Sequence, residues 1–216
     1  MAGLIWDSLK GVVVKAVEAM EWLQTASGLL AKDMNIEGKN LPTTWITPAG
    51  FPVKQKYPKM KIKRLKSVLS GSIKIFDTTS GESEDVQEGA FFRPNLMEPT
   101  GEIDSRKQKQ GIAPNFVHSM DASHLMLTVC ACVDKGVNAF AMIHDSYGVP
   151  AGHGSIMFTT VREVFVSTYT ENDVLQDLHD HICNLLSPKM LKDLPEVPTK
   201  GDLDLECAKE SMYAFS

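Results

Sequence analysis

Apolar residues recur at three- and four-residue steps in four stretches of this chain, which predicts four amphipathic helices. The stretches cover residues 3–32, 114–135, 156–169 and 173–186. Pro114 suits the first turn of the second helix, and Gly136 follows its last turn as a stop. Thr170 is a possible cap for the fourth helix. The first helix has one broad apolar face, formed by Leu4, Ile5, Leu9, Val12, Val13, Ala16, Val17, Met20, Leu23, Ala26, Leu29 and Leu30.

Short alternating or apolar runs between these helices predict strands. Residues 43–47 and 51–53 flank a Pro-Ala-Gly turn, and residues 61–69 and 73–76 flank a turn at 70–72. A third pair surrounds His144 and Asp145, with a buried strand over residues 139–143 before them and a return run over 147–150 after them. Residues 77–102 are rich in Gly, Glu, Ser and Pro, which is typical of a long loop or a mobile hairpin extension. Together these elements predict an α+β fold.

The second strand pair belongs to a strongly basic stretch. Eight cationic residues and no acidic ones lie between Lys54 and Lys74. A basic β-ribbon can lie along nucleic-acid phosphates. The alternative is a solvated edge strand that its lysines keep from aggregating.

Composition sets the remaining limits. The chain has 216 residues, 43% of them hydrophobic and 23% charged, which is ordinary for a globular protein with a substantial core. Its net charge of -5 argues weakly against nucleic-acid binding as a whole, although a net value hides local patches. We find no secretory signal and no uninterrupted apolar run of membrane-spanning length, and expect a soluble intracellular protein. The four cysteines lack metal-ligand spacing, which favours reduced structural thiols.

Two groups of polar residues are candidates for chemistry. His144 and Asp145 lie at the tip of the third strand pair, where a carboxylate could hold a metal ion. His118, Asp121 and His124 lie in the first half of the second helix. They could form a metal site, although six residues of helix spread such side chains widely. The alternative is a polar helix start that faces a ligand or solvent.

Two long motifs resemble the C-terminal part of bacteriophage-type single-subunit RNA polymerases. The first is residues 110–125, which contain the run Pro-Asn-Phe-Val-His-Ser-Met-Asp, and the second is residues 140–148, which contain His-Asp-Ser. Residues 17–23, 47–53 and 194–205 and the aromatic C-terminal end are also similar to that family, so the resemblance covers nearly the whole chain. It is weakest over residues 77–97, where extra residues are expected.

The resemblance implies the C-terminal part of a right-hand polymerase. Residues 1–58 would form a fingers-type helix with short strands. Residues 59–104 would form a basic specificity hairpin with a long loop. Residues 105–216 would form the palm portion, with the catalytic hairpin and a C-terminal foot.

The same resemblance implies roles for individual residues. Asp145 would be one of two aspartates that hold two magnesium ions, and His144 would orient the primer end or the ligands of the metal. His118 would contact the ribose 2′-hydroxyl and so help to select ribonucleotides. Phe215 and Ser216 would form the foot beneath the active site. The specificity hairpin would contact promoter DNA through Arg64, Lys66, Lys74 and Phe76.

The family's other metal-binding aspartate and its fingers helix have no counterpart in this sequence. We therefore expect a subunit or fragment of a split RNA polymerase that is active only with an N-terminal polymerase chain, with the two magnesium ions shared between them. Promoter DNA, the RNA transcript and nucleoside triphosphates would be its other partners. No membrane is expected, and a phage-encoded protein would act in the host cytoplasm. The alternatives are a non-catalytic DNA-binding remnant and part of a related family A-like DNA polymerase.

Overall fold

A computed structural model of the chain describes residues 11–34, 40–64, 67–68, 73–76, 83–86, 91–92 and 95–215, and between residues 64 and 94 it describes backbone alone. Helices and small two-stranded sheets alternate, so the predicted α+β class is confirmed. The helices are α1 (Val14–Leu30), α2 (Ser105–Asp134), α3 (Gly154–Glu171), α4 (Val174–Leu185), α5 (Pro188–Leu191) and α6 (Cys207–Glu210). The strands are β1 (Thr43–Ile46), β2 (Pro52–Gln55), β3 (Pro58–Arg64), β4 (Ser67–Val68), β5 (Ile73–Phe76), β6 (Ser83–Val86), β7 (Phe91–Phe92), β8 (Asn95–Ile103), β9 (Ala141–Ile143) and β10 (Ser146–Gly148).

The backbone divides into two compact units, one made of residues 1–57 and 103–216 and the other of residues 58–102. The main core of the first unit lies between α1, α2, α4 and β1. Trp45 packs its ring against Phe116 with the centroids 5.7 Å apart. Trp22 is 4% exposed and donates its indole N–H to the Pro195 carbonyl, which ties the chain after α5 to α1. Each large buried side chain of this kind contributes about 1.5–3 kcal/mol by leaving water.

The second helix begins nine residues before the predicted start, and Pro114 lies inside it. The prediction from Pro114 was wrong because a stronger start signal lies upstream. Asp104 caps the helix by accepting hydrogen bonds from the backbone N–H groups of Arg106 and Lys107. A helix-interior proline loses one backbone hydrogen bond, and α2 continues through Pro114 despite this loss. The Gln108 side chain donates to the Gln55 carbonyl at 2.7 Å and thereby fixes the first turns of α2 on β2.

The other helices follow the predictions closely. The first is described from residue 11 onward, so its predicted start at residue 3 lies outside the described residues. The third and fourth predicted helices correspond to α3 and α4. Thr170 was the wrong cap, because Glu171 still belongs to α3 and Asp173 itself caps α4 through the Gln176 N–H.

The unit of residues 58–102 is an interrupted two-stranded ribbon. β3 pairs with β8, β4 with β7, and β5 with β6. The described residues of the predicted strand 61–69 therefore pair with later strands and not with residues 73–76. The partner strands come from the segment predicted to be a long loop or a hairpin extension, and the second of these alternatives agrees with the structure. Lys74 lies opposite Asp85 in the β5–β6 register, and opposite charges across strands stabilise a sheet.

By length and composition alone, α2 is one helix among the described residues that could cross a membrane. This is weak evidence, because the core helix of a soluble protein passes the same test. Ile112, Phe116 and Met120 of α2 are at most 6% exposed and belong to the main core. Part of its apolar content is thus packed within the chain, whereas Val117 and Val133 are 53% and 52% exposed.

Candidate active site

The His144-Asp145 pair forms the two-residue turn of a short antiparallel hairpin. Ser146 pairs with Ile143 and Gly148 with Ala141 across β9 and β10. His144 has a φ of 55°, which L residues seldom adopt and histidine tolerates better than most. A Cβ on Gly148 would lie 2.9 Å from the Ala141 carbonyl oxygen, so the glycine permits the close pairing. The turn exposes both His144 and Asp145 to solvent.

The base of this hairpin is packed against a small second core. Cys132 and Val137 are fully buried and Met157 nearly so, and they contact the partly buried Met142 and Tyr147 of the hairpin. The hairpin thus has an anchored base and an exposed tip. This arrangement places a carboxylate in solvent on a rigid support.

The buried side chain of His124 holds strand β10 of the hairpin in place. His124 of α2 is 5% exposed, and its Nε2 lies 2.9 Å from the Val161 carbonyl of α3. A carbonyl can only accept, so Nε2 carries the proton. Nδ1 therefore accepts a hydrogen bond from the Tyr147 hydroxyl, 3.1 Å away. Burial lowers the pKa of His124, although the Val161 hydrogen bond and the charge of Asp121 oppose this effect, and the neutral form suits both contacts.

The Tyr147 hydroxyl stays protonated over the working range of pH. Burial raises its pKa to about 12, and the negative charges of Asp121 and Asp145 act in the same direction. The phenol therefore remains a hydrogen-bond donor to His124. Residue Asp145 lies two positions from this anchor.

The C-terminal segment packs on the same histidine. The Phe215 ring lies 5.3 Å from the His124 ring and 5.5 Å from the Phe165 ring, centroid to centroid. Arg162 of α3 is 1% exposed and donates to the carbonyls of Ser211 and Phe215 at 3.1 and 3.2 Å. The structure thus brings the predicted foot residue Phe215 next to the hairpin. Ser216 lies outside the described residues.

A cavity of about 800 Å³ lies between the hairpin, α2, α3 and the C-terminal segment. Asp145 and Phe215 both line it, together with Asp121, His124 and Arg162. His118 and His144 are exposed and are not among its lining residues. Sequence reasoning missed Arg162. The available signal was an arginine within an apolar run of an amphipathic helix, and that signal does not reveal the acceptors of the side chain.

Metal ligands are incomplete in the part of the chain that the structure describes. No three His, Cys, Asp or Glu side chains come together there in a way that could hold a metal ion. The alternative site of His118, Asp121 and His124 is therefore not formed, because both nitrogens of His124 are already engaged. An exposed carboxylate such as Asp145 fits a magnesium ion that takes its other ligands from elsewhere, since Mg²⁺ is often held by one or two carboxylates plus phosphate oxygens.

The residues predicted to contact DNA belong to the ribbon. Arg64 lies in β3, and Lys74 and Phe76 lie in β5, with their side chains outside the described part of the chain. Lys66 lies outside the described residues altogether. Two of the described lysines of β3 contact acidic residues of β8: Lys59 lies 2.7 Å from Glu102 and Lys63 lies 3.4 Å from Glu98.

Comparison with known proteins identifies the family. The sequence profile of DNA-dependent RNA polymerase matches residues 1–193. The chain belongs to the phage-type DNA-dependent RNA polymerase family. It is 42% identical to the DNA-directed RNA polymerase of Enterobacteria phage K11 over the whole chain and 40% identical to T7 RNA polymerase of Escherichia phage T7, also over the whole chain. It is 37% identical over 98% of its length to the human mitochondrial DNA-directed RNA polymerase.

The predicted resemblance to phage-type RNA polymerases is thus confirmed. The chain spans 23% of the length of each of the two phage enzymes and 16% of the human enzyme. These relatives are named RNA polymerases, which disfavours the alternative of a family A-like DNA polymerase. The roles of single residues within this polymerase family member stay predictions.

Proposed function

We propose that this chain is the C-terminal portion of a split right-hand RNA polymerase and supplies one metal-binding aspartate for DNA-directed RNA synthesis. The observation that carries the proposal is the hairpin: Asp145 lies at an exposed tip, and Tyr147 two positions later is held by the buried His124. Membership in the RNA polymerase family supports this reading of the hairpin. The family A-like and metal-chelate readings lack such support.

Asp145 would hold magnesium together with an aspartate from an N-terminal polymerase chain. When bound, a pair of such ions lowers the pKa of the attacking 3′-hydroxyl and stabilises the pyrophosphate leaving group. The contribution of this chain is to fix the position of the Asp145 carboxylate. The two-residue turn fixes where the carboxylate points, and the buried contacts of Tyr147 keep the turn from moving away from the reacting groups.

The two exposed histidines have separate proposed tasks. His144 precedes the carboxylate in the same turn and is accessible to a primer end. His118 is exposed on α2 and offers ring nitrogens that can donate to or accept from a ribose 2′-hydroxyl. Such a contact would favour ribonucleotides over deoxyribonucleotides, because the 2′-hydroxyl is what distinguishes them.

The remaining partners follow from the ribbon and the family. Arg64, Lys66, Lys74 and Phe76 would contact promoter DNA, and the RNA transcript and nucleoside triphosphates would occupy the centre completed by the N-terminal chain. The magnesium ions would be shared by the two chains. If the protein is phage-encoded, the complex would act in the host cytoplasm.

The test is to co-express this chain with a polymerase chain that carries the remaining family elements and to measure promoter-directed RNA synthesis. The wild-type chain should support RNA synthesis in the complex and should show no synthesis alone. Asp145→Asn should abolish synthesis while the complex still forms in gel filtration. Asp134→Asn is the matched control, because Asp134 is an exposed aspartate at the end of α2, outside the cavity lining.

Two outcomes would go against the proposal. Full synthesis by the Asp145→Asn complex would remove the carboxylate from the mechanism. DNA binding by the isolated chain, with no synthesis in any complex, would instead support the non-catalytic DNA-binding remnant.

A further inference from the structure

Arg162 is a buried cation with an unusual set of acceptors. Its Nη1 donates to the Phe158 carbonyl within α3, whereas Nε and Nη2 donate to Ser211 and Phe215, 49 and 53 residues further along the chain. The guanidinium carbon also lies 3.5 Å from the centroid of the Phe158 ring. Arginine is suited to this geometry because its planar fork presents donors in fixed directions. One side chain therefore fixes both ends of a five-residue segment.

The segment held in this way touches the support of the hairpin. The Phe215 ring packs on His124, and His124 accepts the hydrogen bond of Tyr147. Tyr147 lies on β10, two positions from Asp145. A continuous series of contacts thus runs from Arg162 through Phe215 and His124 to the hairpin.

We propose that Arg162 is a positioning residue that docks the segment of residues 211–215 on His124 and thereby holds the hairpin of Asp145 in place. The effect on RNA synthesis rests on the function proposed above. The docking itself does not, and it can be measured without catalysis. The competing explanation is that Arg162 serves α3 alone through its bond to Phe158.

The docking is tested on the isolated full-length chain with Arg162→Lys, which keeps the positive charge but loses the fork. Carboxypeptidase digestion followed by mass spectrometry reports how often the C-terminal end is free. A hydrogen bond to a charged group changes an opening equilibrium by about tenfold or more, so residues 211–216 should be released about tenfold faster. Arg106→Lys is the matched control, because Arg106 is exposed on α2, and should leave the release rate unchanged.

A second measurement follows the pKa of His124. Undocking would let water reach His124, so Arg162→Lys should raise its pKa from the lowered value toward the ordinary one in an NMR titration. The charge of Asp121, which also acts on this ring, is unchanged in the variant. Because His124 also contacts the Val161 carbonyl of α3, a pKa shift without faster release of residues 211–216 would point to a change within α3 and not to undocking.

The connection to synthesis is tested by deleting residues 211–216 in the complex with the N-terminal polymerase chain. Deletion and Arg162→Lys should each lower kcat while leaving the KM for nucleotides unchanged. The two changes together should be no worse than deletion alone, because both remove the same contact. If Arg162→Lys lowers kcat as strongly in the shortened chain as in the full chain, the residue serves α3 and the positioning role is overturned.

Wild-type release rates and an unchanged His124 titration in Arg162→Lys would overturn the docking as well. If Asp145→Asn is active yet the lysine variant frees the C-terminal end, docking stands and the proposed function fails. The two ideas are therefore separable.

Discussion

The hairpin of β9 and β10 and the ribbon of residues 58–102 both carry residues predicted to meet substrates, yet they are held in different ways. The hairpin strands have three residues each, and their base is fixed by buried groups, above all His124 and Tyr147. The ribbon is longer, and the side-chain contacts described in it are exposed and include ion pairs such as Lys63 with Glu98. Buried hydrogen bonds fix a position firmly, whereas exposed ion pairs contribute little and exchange with solvent ions.

This difference fits two kinds of task. A group that holds a metal for chemistry must stay within about 0.5 Å of its working position. A surface that contacts DNA phosphates needs charge and reach more than fixed geometry. The buried support therefore lies beside the carboxylate that is predicted to hold a metal, and the exposed ion pairs lie in the ribbon that is predicted to contact DNA.

The largest expected effect separates the two regions by activity. In the complex with an N-terminal polymerase chain, Asp145→Asn should reduce RNA synthesis about a thousandfold or more, because it removes the proposed metal ligand from the reacting centre. The loss should be the same on promoter DNA and on a preassembled RNA–DNA scaffold. Replacing Arg64 and Lys66 with alanine should reduce synthesis on promoter DNA alone. If the ribbon variant lost the same fraction of RNA synthesis on promoter DNA and on the scaffold, the proposed difference in task between hairpin and ribbon would be wrong.

The next effect concerns the support of the hairpin. His124→Gln leaves the Tyr147 hydroxyl or the Val161 carbonyl poorly matched, and should lower the free energy of unfolding at pH 8 by about 1–3 kcal/mol. Denaturant unfolding measures it. His181→Gln is the control, because His181 is partly exposed and makes a side-chain contact with Thr44 outside this network.

His124 should also contribute a pH dependence. Burial lowers its pKa below the ordinary value of 6.5 in the folded chain, so the unfolded chain binds the extra proton first. Its stabilisation is complete above pH 6.5 and decreases as the pH falls through the folded pKa. The difference in unfolding free energy between wild type and His124→Gln should therefore shrink between pH 8 and pH 5. A constant difference would show that His124 titrates normally.

A smaller effect is expected at the other end of the same hydrogen bond. Tyr147→Phe removes the phenol donor to Nδ1 of His124 and should cost about 1 kcal/mol of unfolding free energy at pH 7. The pKa of Tyr147 is raised to about 12, which predicts a pH dependence of stability. The contribution of Tyr147 to the unfolding free energy is present below pH 10 and is lost as the pH rises toward 12. Wild type should therefore lose stability between pH 9 and pH 11 faster than Tyr147→Phe. Tyr213→Phe, at an 86% exposed position, should behave like wild type.

These regions also differ in how far the sequence predicted them. The hairpin and the main helices were predicted because their apolar patterns are local and their turn is short. The start of α2 was missed because its cap, Asp104, acts together with the contact between Gln108 and Gln55, which are 53 residues apart. The pairing of β5 with β6 was left open between a long loop and a hairpin extension, because the acidic run finds its partner strand only across the ribbon. Arg162 could not be found from local pattern, because its acceptors are backbone carbonyls, which every residue has.

The smallest expected effect concerns charge on the ribbon. Glu98 and Glu102 lie against Lys63 and Lys59, so β3 presents less positive charge than its sequence indicates. Replacing both glutamates with glutamine should leave the unfolding midpoint of the chain nearly unchanged, because the pairs are exposed. DNA affinity should rise, and the plot of log K against log salt should steepen by about 0.9 for each lysine newly available to a phosphate. Glu163→Gln tests specificity, because that exposed glutamate pairs with Lys135 outside the ribbon and should alter neither quantity. Equal affinities in the glutamine and wild-type chains would mean that β3 does not face DNA, and the ribbon would then be a lysine-protected edge rather than a recognition element.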